Sequence, residues 1–323
     1  MNEGYFSKQR AAVILDPAIA TRNAGDEVIS QACRHWIRKA LPTHFLSPVP
    51  THEKMGTRSW RLLKQSEYAI VGGSNILTSN LLFDRGWRLS PRDAFFAKDL
   101  ILLAVGWREY QKPPNRSTKA LLNRVLSRDG VHSVRDSHTY EMMRNAGFEN
   151  VVMTSCVTMW GLTPDHLASI PKEKADAVVT TFTRGKPSPA DKAMIDLLVQ
   201  QYGNVYIWPQ GFNDYDYVLE MSQGRATVLA PTLEAYDELL MGDEPVDYVG
   251  VRLHAGIRAL QKKRRAFIIA IDNRATEISR DTGLGAIPRG ENPDIIAARL
   301  NKPFVSELRL PQDAIDTWLS QFS

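Results

Sequence analysis

An arginine and a histidine two residues apart, Arg252 and His254, close the apolar run Asp247-Tyr248-Val249-Gly250-Val251 and open a helical stretch through Ala259. A guanidinium presents a planar fork of donors that matches carboxylate or phosphate. An imidazole gains or loses a proton near neutral pH. The pair therefore has the chemistry of an anion site with a proton carrier beside it. The plainer reading of His254 is a structural histidine bonded to carbonyl groups, and spacing does not choose between the two. Arg258, four residues on, shares the helix face of His254. A second cation stands in Ser133-Val134-Arg135-Asp136, after a short apolar run and just ahead of a helix from Ser137. Beside a helix N-terminus, whose unpaired N–H groups favour negative charge, Arg135 makes an anion site; otherwise it pairs with Asp136 on the surface. His132 and His138 flank it and read as structural.

Two glycine loops lie in the first half, Asn23-Ala24-Gly25-Asp26 and Gly72-Gly73-Ser74-Asn75. Glycine lets the backbone turn sharply and approach a ligand closely, although both loops also suit generic turns. Neither fits the dinucleotide fingerprint or the phosphate-binding loop with its lysine, which removes support for nicotinamide cofactors and nucleotide triphosphates. In the polar cluster after Ile271, Asp272, Asn273 and Arg274 stand where an open sheet binds ligands. Arg274 and Glu277 have the spacing of an internal ion pair, which leaves Asp272 and Asn273 to bond sugar hydroxyls. Trp208, Gln210, Tyr215 and Tyr217 follow another strand, where aromatics either stack on a sugar or belong to the core. No zinc-protease, paired-cysteine or serine-elbow motif occurs, and nothing calls for a metal or cofactor.

These residues need elements to hold them. Strand-length apolar runs at 11–15, 68–71, 101–105, 131–134 and 151–153 alternate with helical stretches at 27–40 and 137–146. The alternation resumes with runs at 177–182, 204–208, 248–251 and 266–271 around a helix at 189–202. Fully apolar strands between helices predict parallel sheets covered on both faces. The pattern lapses near 162–174, so two α/β domains are expected, 1–170 and 171–323. Each is doubly wound and Rossmann-like, and the two face each other across a cleft in the GT-B-like manner, with ligands at the carboxyl ends of the strands. The amphipathic segment 311–323 is read as a last helix crossing back to the first domain.

The 323 residues carry 43% hydrophobic and 24% charged side chains, the composition of a folded globular chain. No apolar run approaches the ~20 residues of a membrane span. The first ten residues are polar, unlike a secretory signal, and only Cys33 and Cys156 are present, so a cytoplasmic location is expected. The net charge of +4 is small and dispersed, which points away from nucleic acid and is compatible with an anionic small molecule. The densest basic run, 262–265, is read as a solvated helix end or as a contact with the inner face of an acidic membrane.

Four of these segments, in order, resemble the polysaccharide pyruvyltransferase family. They are the N-x-G-D loop at Asn23–Asp26, the glycine loop at Gly72–Asn75, the S-x-R-D element at Ser133–Asp136, and the R-L-H-(A/G) element Arg252-Leu253-His254-Ala255. Ser74 stands where a third glycine is frequent, and Thr154-Ser155-Cys156-Val157 where many members carry Asp-Pro or Cys-Pro. The resemblance implies a GT-B-like fold and phosphoenolpyruvate as donor, without a cofactor. It further implies a glycan or lipid-linked saccharide acceptor, and a role in exopolysaccharide, capsule or cell-wall glycan assembly. Arg135, Arg252 and His254 would occupy the donor site, with Asn23, Gly25, Asp26, Gly72, Gly73, Ser74, Asn75, Leu253, Asp272, Asn273 and Arg274 binding substrate around them. The alternatives are a glycosyltransferase of the same architecture using a nucleotide-sugar donor, and a non-catalytic glycan-binding relative. Acceptor identity, ketal stereochemistry and oligomeric state are not encoded in these motifs.

Overall fold

The structure, a computed structural model, describes residues 10–84 and 86–323. The polar start of the chain, read above as lacking a signal, lies outside the described residues up to Gln9. By contacts the described residues form two units, one of residues 10–21, 29–157 and 310–323, the other of 22–28 and 158–309. The sequence reading divides the chain at 170/171. The lapse in apolar pattern near 162–174 instead falls inside the second unit, where His166 donates through Nε2 to the Leu260 carbonyl at 2.8 Å.

The first unit runs β1 (Ala11–Asp16), α1 (Ala24–Ala40, of which residues 24–28 count with the second unit), β2 (Phe45–Pro50), α2 (Thr57–Gln65), β3 (Tyr68–Val71) and α3 (Pro91–Phe96). It continues with β4 (Leu100–Leu102), α4 (Arg116–Val125), β5 (His132–Val134), α5 (Ser137–Ala146) and β6 (Val151–Met153). The second holds α6 (Pro164–Ala168), β7 (Ala177–Thr180), α7 (Pro189–Gln201), β8 (Asn204–Ile207), α8 (Asp214–Ser222), β9 (Thr227–Val228) and α9 (Leu233–Met241). Then come β10 (Val246–Gly250), α10 (Leu253–Gln261), β11 (Ala266–Ala270), α11 (Asn273–Thr282), β12 (Ile287–Pro288) and α12 (Pro293–Leu300). The last helix, α13 (Gln312–Ser320), returns to the first unit.

Every strand pairing between these elements is parallel, so the chain is α/β throughout. In the first unit the order is β2-β1-β3-β4, extended toward the β5-β6 pair by a bridge between Val105 and Val134. β1 is buried from Ala12 to Asp16 because it is central, paired on both sides. The second sheet runs β12-β11-β10-β7-β8-β9. Counted from its own first strand, that is the 3-2-1-4-5-6 order of a Rossmann sheet, with its switch point between β7 and β10. Connections to β7 and β10 leave on opposite sides there, so the carboxyl ends of these two strands open a crevice that no crossover covers.

α13 completes the first unit's core. Trp318 is fully buried and donates through Nε1 to the Leu102 carbonyl at 2.9 Å. Gln321 pairs with the Val131 backbone in both directions, at 2.8 and 3.1 Å.

Candidate functional site

The switch point of the second unit brings Thr181, which follows β7, against the loop that follows β10. The Val251 amide donates to the Thr181 carbonyl at 3.1 Å, and the Arg252 amide to Thr181 Oγ1 at 3.2 Å. Tyr248, two residues before the end of β10, sends its hydroxyl forward to the Arg252 carbonyl at 2.8 Å and lies 2.7 Å from Thr181 Oγ1. Burial pushes that phenol well above its ordinary pKa, so it stays a protonated donor. Gly250 is required here, since a Cβ on it would lie 2.5 Å from Thr181 Oγ1. Arg252 is thus fixed as the N-cap residue of α10, with Leu253 and His254 in the first turn. Gly256, one turn on, lets α10 lie against the sheet; a Cβ there would stand 2.4 Å from Ile268 Cγ1.

The Arg252 guanidinium donates through Nη2 to Asp214 Oδ2. Asp214 is 3% exposed and also accepts from the Gly211 amide at 2.9 Å and the Arg184 amide at 3.0 Å. Three donors fix the carboxylate, and the carboxylate fixes one edge of the arginine. On the other edge, Arg252 Nε is buried and has no hydrogen-bond partner among the described residues. Such an N–H is a cost unless something accepts from it. His254 is buried at 5% exposure, in the turn where helix N–H groups favour an anion.

The N-x-G-D loop belongs to this unit. Asn23 forms an antiparallel bridge with Gly211, the Ala24 amide donates to the Gln210 carbonyl at 2.9 Å, and the Phe212 amide to the Arg22 carbonyl at 2.8 Å. Gln210 Nε2 donates to Asn23 Oδ1 at 2.7 Å. A loop nearly two hundred residues upstream therefore abuts the segment that carries Asp214. Asp26 lies in the first turn of α1, where an acid complements the helix dipole.

Other cations singled out above have structural partners. Arg258 grips Asp237, with Nε 2.7 Å from Oδ1. Asp272 caps α11, accepting from the Arg274 amide at 3.1 Å, and its Oδ2 takes Arg274 Nε at 3.0 Å. Arg280 bonds the Glu277 carboxylate. Asp272 and Arg274 thus serve the helix start at which Asn273 is the first residue. In the basic run, Arg265 is 1% exposed, 3.5 Å from Asp247, and Arg264 donates to the Leu240 carbonyl at 2.7 Å. Burial raises the Asp247 carboxyl to about 6 against the opposing pull of Arg265. Trp208 is core, stacked on Tyr236 at 4.1 Å between centroids, and the Tyr217 hydroxyl donates to Asp191 at 2.8 Å.

In the first unit Arg135 precedes α5, whose N-cap is Asp136. It is 2% exposed and donates through Nε to Asp136 Oδ2 at 3.1 Å and through Nη2 to Asn75 Oδ1 at 2.5 Å. Gly106 makes room for it, because a Cβ there would come within 2.2 Å of the guanidinium carbon. Asn75 in turn donates to the Arg108 carbonyl at 2.9 Å, tying the glycine loop to the loop after β4. Gly72 and Gly73 are needed for backbone packing: a Cβ on Gly72 would lie 3.1 Å from the Leu15 carbonyl oxygen, and one on Gly73 3.0 Å from that of Ala104. Ser74 Oγ lies 3.5 Å from His52 Nε2. His132 is buried with Nδ1 accepting from the Leu102 amide and Nε2 donating to the Ser127 carbonyl, and burial drives its pKa down to about 4.

Among the described residues no group of three His, Cys, Asp or Glu side chains could hold a metal ion. No helix among them is long and apolar enough to cross a membrane. Asp214, Thr181 and Tyr248 were not singled out by sequence. Asp214 reads as an ordinary acid at a helix start, and Tyr248 as one more buried strand residue.

The chain is thus an α/β protein of parallel sheets, with an arginine and a histidine at the switch point of its second unit. The profile of the polysaccharide pyruvyl transferase family matches residues 23–273, and the chain belongs to that family. No curated protein matches it. Among solved structures it is similar to a functionally uncharacterised Klebsiella pneumoniae protein, at 14% identity over 87% of this chain and 92% of that one, with a TM-score of 0.45. It is also similar to E. coli heptosyltransferase WaaC with ADP-2-deoxy-2-fluoro heptose, at 13% identity over 80% and 88%, with a TM-score of 0.40. A third is Arabidopsis thaliana UGT89C1 complexed with UDP-L-rhamnose, at 12% identity over 97% and 93%, with a TM-score of 0.46.

Proposed function

We propose that this chain transfers a pyruvyl group from phosphoenolpyruvate to two hydroxyls of a sugar, forming a cyclic ketal in the assembly of a surface glycan in the cytoplasm. The observation that carries the reading is Arg252, anchored on Asp214 through one edge and holding on the other a buried Nε–H without a partner among the described residues. An anionic oxygen satisfies that donor. Phosphoenolpyruvate brings carboxylate and phosphate close together, so its site needs fixed donors away from bulk water, where they act more strongly.

His254 delivers a proton to the methylene carbon of the donor, which makes the adjacent carbon electrophilic. A sugar hydroxyl adds to that carbon, the carbon–oxygen bond to phosphate breaks, and a second hydroxyl closes the ketal. One hydroxyl proton replaces the proton taken up by the methylene, and the other leaves with phosphate. No cofactor enters the balance.

The test is phosphate release from phosphoenolpyruvate with a panel of glycosides, with the ketal detected by mass. His254→Ala should lower turnover ~10²–10⁴-fold with the fold intact. Arg252→Ala should chiefly raise the donor KM. Binding of nucleotide sugars with no response to phosphoenolpyruvate would overturn the reading.

A further inference from the structure

Gln210 sits one residue from the ground that Arg252 occupies. A Cβ on the next residue, Gly211, would lie 2.8 Å from Arg252 Nη2 and 2.8 Å from Asp214 Oδ2. The Gln210 side chain is buried, at 5% exposure, and its amide has one possible orientation. Asn23 Oδ1 accepts from the Gly25 amide at 3.1 Å, which identifies that atom as oxygen. The Gln210 atom facing it at 2.7 Å must then be the nitrogen. Gly25 enforces the arrangement, since a Cβ there would stand 2.5 Å from Gln210 Nε2. The consequence falls on the other end of the amide. Gln210 Oε1 is buried and has no hydrogen-bond partner among the described residues.

An oxygen held this way needs a donor, and buried acceptors without one are rare. Phosphoenolpyruvate does not provide it, because the carboxylate and phosphate of the donor present oxygens that accept. Near an anion the lone pairs of Oε1 are also mildly repelled. A neutral hydroxyl has the missing proton. We propose that Gln210 Oε1 is an acceptor-sugar site, taking a hydrogen bond from a hydroxyl of the saccharide, and that the Asn23-Ala24-Gly25 loop exists to aim it. The inference rests on the pyruvyl-transfer reading and deepens it: the N-x-G-D element serves the sugar rather than the donor.

The experiment uses the full chain with saturating phosphoenolpyruvate and the methyl glycosides of glucose, galactose and mannose as probes, read by phosphate release. Gln210→Met keeps the volume and removes both polar ends. Gly25→Ala pushes on the amide from the other side. Both variants should raise the KM for the glycoside ~10–100-fold and leave the donor KM within about twofold. Wild-type protein should discriminate against the deoxy glycoside that lacks the bonded hydroxyl, and Gln210→Met should lose that discrimination. An unchanged glycoside KM in Gln210→Met overturns the proposal. So does a parallel rise in both KM values with a lowered Tm, which marks a structural role. A wild-type chain that releases no phosphate from phosphoenolpyruvate with any of the three probes overturns the pyruvyl-transfer reading itself, and the proposal with it.

Discussion

Replacing Asp214 with asparagine changes one atom and should disable the arginine it holds. Asp214 Oδ2 accepts from the Gly211 amide and Arg252 Nη2, and Oδ1 accepts from the Arg184 amide. An amide has one oxygen, so whichever way the substituted side chain turned, its NH2 would face a donor. The pair is largely out of water, with Asp214 at 3% and Arg252 at 18% exposure. Removing one partner of a buried pair costs about 3–5 kcal/mol, and the partial exposure of Arg252 puts this case at the low end, about 3 kcal/mol. Denaturant unfolding reads that loss directly. The same substitution frees the guanidinium to move its Nε away from where the pyruvyl-transfer proposal seats the donor, so on that proposal the KM for phosphoenolpyruvate should rise ~10–100-fold while kcat for bound donor changes less. A stability loss below ~1 kcal/mol together with an unchanged donor KM would refute the claim that Asp214 positions Arg252.

His132 should make the protein acid-sensitive. Its folded pKa of about 4 lies below the ordinary 6.5, so between those values the unfolded chain binds more protons and stability falls as pH drops. At ~1.4 kcal/mol per pH unit the loss approaches about 3 kcal/mol, measurable by urea titrations across the window, and a wild-type slope shared by His132→Gln would contradict it. Trp318→Ala should cost about 3–5 kcal/mol by emptying a fully buried site under α13, and a Tm within a degree or two of wild type would show that the helix does not close this core.

Much of the architecture was readable because parallel strands buried on both faces leave unbroken apolar runs, as at Ala11–Leu15 and Ala266–Ala270. The same logic located Arg252 and His254, since a strand end followed by a helix start is a local signal. What stayed hidden was nonlocal. Nothing in the sequence near Asn23 announces Gln210, 187 positions away, and Asp214 looks like any acid that favours a helix N-terminus. The i,i+3 spacing of Arg274 and Glu277 likewise does not announce that Arg274 bonds the capping carboxylate of Asp272 or that Arg280 bonds Glu277. The basic run at 262–265 reads as a solvated end, but Arg265 goes inward because Asp247 and Tyr202 wait there.

The return of α13 bears on how the chain is made. Residues 29–157 emerge from the ribosome long before residues 310–323, yet the Leu102 carbonyl and the Val131 backbone take their partners from that final stretch. With the whole of residues 158–309 still to be translated, the nascent first unit has no indole to seal it, and a stop codon placed after Arg309 would release a polypeptide whose second unit is whole and whose first is unfinished.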